Sequence, residues 1–305
     1  MRRQYFIAHF VTTLLVTVVT IYAFPSPFIV PSGDLISQTL STVAKLVLQS
    51  RLQELQSVDV QVKASSLSIL GGGVDGVRVH GTKWCTPMKL SCRELNVKVG
   101  RTAIDVPALI TSRRIVLQNS AIGDATMVFS GSDWQNFLMH PLMSKALSDR
   151  RSVAPCPSSI ISFTAKGGTK PIVTVSRDGV DFSVRCDNDN DNDDNVPLRR
   201  VRLYQPRGGR VMASVMDDDV FDVIVKPPFS SLSSSTAGAR IVDVNTDVAD
   251  NISATAMWIV EFFETLVLDL DGCELRFRSL TSETDRLELR LDVRVRSFPS
   301  LDINF

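Results

Sequence analysis

The chain has 305 residues, 33 basic and 33 acidic side chains, and five cysteines. Balanced charge argues against a nucleic-acid binder, which carries a basic excess. Five scattered cysteines do not make a disulfide scaffold, and the length suits one large domain or two small ones.

Arg2 and Arg3 open the chain, and an uncharged apolar run follows at residues 10–23. The run is short for a membrane span, and Pro25 and Pro27 end any helix behind it. Residues 1–23 therefore read as a secretory-type signal peptide cut after Ala23, with residues 24–33 as a short transit segment. The Ala23-Phe24 step resembles the join in the bipartite plastid presequences of diatoms and related algae. The expected destination is the plastid, reached through a secretory-type signal. Secretion, the ER lumen and an uncleaved N-terminal membrane anchor are the alternatives.

Residues 32–55 predict a helix capped at Ser32 or Asp34. Ile36, Leu40, Val43, Val47 and Leu48 form its apolar stripe, and Ser37, Ser41 and Lys45 lie off it. From Val58 the period changes to two. Short strand signals follow at 58–62, 77–81, 88–92, 95–99 and 114–119. Within residues 88–99 the apolar set changes from even positions (Met88, Leu90, Cys92) to odd ones (Leu95, Val97, Val99), which predicts a β-bulge at Arg93–Glu94.

Gly71, Gly73 and Gly76 match the spacing of a dinucleotide-binding loop. That loop needs a helix opening on its last glycine. Val77 and Val79 alternate with Arg78 and His80 instead, so a strand follows. The expectation is a turn between strands, with Asp75-Gly76 supplying a positive φ.

Residues 130–147 predict a second helix with Ser-x-Asp capping, Trp134, Phe137, Leu138 and Leu142 on one side, and a break at Pro141. Strand signals resume at 159–165, 172–176, 180–186, 199–204 and 221–225. Residues 187–195 are a run of Asp and Asn. The run lacks the glycine and closing glutamate of a calcium loop and reads as a disordered acidic insertion. Residues 227–239 read as a second flexible connection. Residues 252–270 predict a buried helix with Trp258, Phe262 and Leu266 on one side. In the last strand, Leu287, Leu289, Leu291, Val293 and Val295 alternate with Glu288, Arg290, Asp292 and Arg294, giving one dry and one charged face. The order of helices and strands with short turns predicts an α+β fold on a mainly antiparallel sheet.

Chemical motifs are sparse. The three histidines, His9, His80 and His140, have no metal-ligand spacing, and no zinc pattern joins Cys85, Cys92, Cys156, Cys186 and Cys273. One disulfide in an oxidising compartment remains open. Neither a nucleophile elbow nor a Walker loop occurs. No catalytic residue, metal or cofactor is expected, and the chain reads as a non-enzyme.

Gly76-Val77, Gly81, Trp84, Pro87, the run Leu95, Val97, Val99, Gly100, and the helix opening at Ser132-Asp133-Trp134 resemble the LmeA-like lipid-binding family over residues 57–147. The resemblance implies a curved antiparallel sheet wrapped on long helices, distantly like tubular lipid-binding proteins, in a single domain over residues 34–305. It implies binding or transfer of phospholipid, or another apolar lipid, beside a membrane surface. Val43, Val47, Trp258, Phe262, Leu289 and Leu291 are the candidate tunnel walls. The alternative is a structural or scaffolding protein with a filled core that binds a protein partner.

Overall fold

The computed structural model describes residues 33–65, 68, 73–103, 105, 116–153, 159–163, 171–188, 198–217, 220–224, 246–269 and 272–297. The signal and transit segments, most of the acidic run and the connection at 227–239 lie outside the described residues. The chain divides into two compact units. One holds residues up to Phe129 with Val267–Arg278 and Glu288–Phe305; the other holds Ser130–Leu266 with Ser279–Leu287.

In the first unit, helix α1 (Gly33–Arg51) precedes strands β1 (Ser57–Lys63), β2 (Gly73–Val74), β3 (Gly76–Cys85), β4 (Ser91–Val99), β5 (Thr102–Ala103) and β6 (Val116–Phe129). Strands β13 (Val267–Asp269), β14 (Cys273–Glu283) and β15 (Arg286–Ser297) complete a seven-stranded sheet in the order β1-β3-β4-β6-β15-β14-β13, the Ser279–Leu287 part of β14 and β15 being counted in the second unit. Alternation drives it as expected. Val58, Val60 and Val62 of β1 are buried between exposed Ser57, Asp59, Gln61 and Lys63. Leu287, Leu289, Leu291, Val293 and Val295 of β15 are all buried.

The phase slip in β4 has a counterpart in β3. Pairs from Val77↔Val99 to Thr82↔Glu94 and from Trp84↔Cys92 to Cys85↔Ser91 keep one register. Lys83 and Arg93 are the extra residues, one in each strand, and Lys83 turns through a φ of 49°. Odd residues before this point (Val79, Gly81) and even ones after it (Trp84, Cys92) are buried. The Trp84 ring lies over Gly81, where a Cβ would meet its Cε3 at 3.0 Å.

The glycine-rich stretch does not form the expected Asp75-Gly76 hairpin. Strand β2 pairs with β5, and β3 pairs with β1 and β4. Gly76 is not among the glycines with positive φ. Its role is close approach, because a Cβ there would lie 3.2 Å from the Val99 carbonyl oxygen. Asp75 ties the segment down. Its carboxylate accepts from Ser68 Oγ at 2.6 Å and from the Ser65 N–H at 2.8 Å.

In the second unit, α2 (Gly131–Leu138) and α3 (Pro141–Val153) are separated at the expected proline. Ser130 and Asp133 form a reciprocal capping box at the start of α2. Strands β7 (Ser159–Ser162), β8 (Val173–Ser176), β9 (Gly179–Asn188), β10 (Leu198–Tyr204), β11 (Met212–Asp217) and β12 (Val220–Ile224) form a six-stranded sheet. Its order is β12-β11-β10-β9-β7, with β8 also paired to β9. Helix α4 (Thr246–Glu264) packs beside β11.

The expected curved sheet wrapped on long helices, like a tubular lipid-binding protein, is corrected by these elements. The described chain is mostly antiparallel sheet, and its four helices hold 19, 8, 13 and 19 residues. Pro141 divides residues 130–147 as expected, and the last helix is shifted rather than lengthened: it starts at Thr246 and ends at Glu264, so that Val267–Asp269 can pair with β14. No helix among the described residues is long and apolar enough to cross a membrane.

Candidate functional site

The expected tunnel walls fall in both units. Val43 and Val47 sit on α1, and their side chains lie outside the described residues. Leu289 and Leu291 are on β15 in the first unit, 0% and 1% exposed. Trp258 and Phe262 are on α4 in the second unit. Their rings stack at 5.3 Å and 6°. Phe262 also meets Phe263 edge-on at 5.3 Å and Phe163 at 6.0 Å, and Phe182 meets Phe163 at 5.8 Å. The Trp258 and Phe262 rings are thus packed against each other and against Phe163 and Phe263, as a close-packed interior requires. The Trp258 indole N–H is buried with no hydrogen bond among the described residues.

Among the described residues, the polar side chains of the first sheet bond one another. On the outer face of the first sheet, His80 Nδ1 lies 2.7 Å from Asn96 Oδ1, and Asn96 Nδ2 donates to Glu94 Oε1 at 3.1 Å. The hydroxyls on the neighbouring rung, Ser57 and Thr82, bond each other at 2.6 Å rather than the imidazole. Among the described residues, no group of three or more His, Cys, Asp or Glu is placed to hold a metal. Burial pushes the Cys273 thiol up to about 12, away from nucleophilic chemistry. Cys85 faces Ser91 and Cys92 faces Trp84 across the β3–β4 pair, so these two cysteines are not opposite one another.

Asp181 is a buried carboxylate of the second unit. It is 4% exposed on β9, and Arg202 of β10 grips it with Nε at 2.7 Å and Nη2 at 3.1 Å. Arg200 Nη2 reaches the same Oδ2 at 3.4 Å. The cluster is satisfied internally, which makes it a fastening between two strands.

One concave feature among the described residues is a groove of about 610 Å³ along the first unit. Gln38, Thr42 and Lys45 of α1 form one wall, and Asp59 and Gln61 of β1 form the other. Its floor is a seam where the Val62 N–H donates to Ser41 Oγ at 2.9 Å and the Ala64 N–H donates to Ser37 Oγ at 3.3 Å. No family model, curated protein or solved structure matches this chain. The groove is mixed in character: Val60 and Val62 line it beside hydroxyls, amides, the Asp59 carboxylate and the Lys45 ammonium. The seam was missed because both serines lie off the apolar stripe of α1. Their spacing of four, beside an alternating strand, was the available signal.

Proposed function

We propose that this protein is a non-enzymatic scaffold that holds a protein partner on its outer surface. The observation that supports this reading is the close packing of the wall residues whose side chains are described. A lipid tunnel needs apolar walls with space between them, whereas Trp258 and Phe262 lie against aromatic neighbours and Leu289 is 0% exposed. Native mass spectrometry of the purified protein, combined with a fluorescent-phospholipid titration, tests it. A bare protein mass and no uptake are expected. One phospholipid retained per chain overturns the reading.

Phospholipid binding beside a membrane, as in the LmeA-like family, is the second reading. One observation favours it. Gly76, Val77, Gly81, Trp84, Leu95, Val97 and Val99 fall together on the β3–β4 hairpin, with Trp84 laid over Gly81. A plastid or secretory destination belongs with this reading, and sequencing the mature N-terminus checks it. Flotation with phospholipid vesicles, lost on Trp84→Ala in a protein that still melts cooperatively, would support it.

A further inference from the structure

Strand β1 ends the seven-stranded sheet, and its outer edge would present open N–H and C=O groups to any extended chain. Helix α1 covers that edge with two serines. Ser41 Oγ accepts from the Val62 N–H at 2.9 Å; Ser37 Oγ accepts from the Ala64 N–H at 3.3 Å and donates to the Ala64 carbonyl at 3.2 Å. The spacing is matched, since four helical residues advance about 6 Å and two strand residues about 6.6 Å. The next rung brings Lys45 beside Val60 in the same groove. An ammonium donates and cannot accept, so this rung offers the Val60 N–H no acceptor.

The register shows what the serines hold off. The Val62 N–H points away from β3, so the backbone groups of Val60 and Val58 point the same way. We propose that α1 is a removable guard, and that the strand which replaces it on the β1 edge is β1 of a second copy. The pairing is antiparallel about Val60. Val60 faces its own copy, Val58 faces Val62, Asp59 faces Gln61 and Ser57 faces Lys63. All three edge-facing valines then exchange hydrogen bonds, and no like charges stand opposite. Gln61 already donates to Asp59 within the strand at 3.0 Å, and the pairing gives it the same partner across the interface. Ser41 also keeps a partner when the seam opens, because it donates to the Ser37 carbonyl at 2.7 Å inside the helix. Ala44 and Leu48, each 1% exposed on α1, hold the guard down in the single chain.

Sedimentation velocity tests the proposal on the full chain. Wild type is expected as a monomer and the Ser37→Ala, Ser41→Ala double variant as a dimer. Adding Gln61→Glu puts a carboxylate opposite Asp59 of the other copy, twice, and is expected to restore the monomer. A folded double variant that stays monomeric, or a dimer indifferent to Gln61→Glu, overturns the proposal. A second probe does not depend on the double variant folding. A labelled peptide of residues 57–63 is expected to bind wild type saturably. N-methylation of its Val60 nitrogen should weaken binding about tenfold by removing one of the two central hydrogen bonds. No binding, or equal binding of the methylated peptide, overturns it as well.

Discussion

His140 should make the protein acid-sensitive. It sits just before Pro141, the first residue of α3, with a 6% exposed side chain. Its Nδ1 accepts the Leu142 N–H at 3.3 Å, and its carbonyl accepts from Met143 and Ser144. Burial lowers its pKa from 6.5 to about 4. Protonation would also remove the acceptor for Leu142 and place a cation at the positive end of a helix. The folded state therefore binds its proton later than the unfolded state. Above pH 6.5 both states are neutral and the group contributes no pH dependence. Stability is lost as pH falls from about 6.5 towards about 4. These two pKa values give a loss of about 2 kcal/mol between pH 7 and pH 5. Urea melts at a series of pH values, on wild type and His140→Asn, isolate the effect. Asparagine keeps a capping acceptor without titrating in this range. The difference between the two stability curves should grow by about 2 kcal/mol between pH 7 and 5 at a constant denaturant slope. Parallel curves would refute the reasoning.

Gly123→Ala should cost about 3 kcal/mol or more in a thermal melt, because its Cβ would sit 2.0 Å from the Lys98 carbonyl oxygen. Gly208→Ala should cost only about 1 kcal/mol, since that residue has open space around it and a φ of 69° as its single constraint. Leu289→Asp buries an unpaired charge and should destabilise by several kcal/mol, at least about 3, whereas Arg290→Ser on the exposed face should change stability by less than about 0.5 kcal/mol. Chemical denaturation of the pair checks the face assignment. Ser130→Ala removes the capping box of α2 and should cost about 1 kcal/mol, read from the urea midpoint.

Where one physical term dominates, the residues announced their structure. Strict alternation placed Val58, Val60 and Val62 inward, and a proline broke the helix after His140. Where terms compete, the pattern misled. Asp75-Gly76 carries hairpin chemistry, but the Asp75 carboxylate is taken by Ser65 and Ser68 and the glycine serves close approach. Ser37 and Ser41 look solvent-directed by composition, yet an open sheet edge needs hydroxyls more than water does. Cys273 reads as a strand start and does open β14, but Arg278, Ser279 and Ser282 blur the alternation that would give its length. Asp181 reads as a surface residue, and only its two arginine partners on the next strand explain its burial. Helical periodicity put Trp258 and Phe262 on one side correctly. It could not say whether that side meets a cavity or other aromatic rings, since both require the same apolar stripe.

The paired extra residues in the β3–β4 hairpin constrain how this protein can change length. Deleting Lys83 alone would bring Trp84 into the place of its neighbour and set every later pair one step out. Deleting Arg93 alone would do the same from the other strand. Removing both would leave Trp84 opposite Cys92 and Thr82 opposite Glu94 as now. Two lesions, each damaging alone, would together be mild. A deletion library screened for solubility should therefore recover the double event far more often than either single one. Among descendants of this chain, the hairpin should grow and shrink in steps of two.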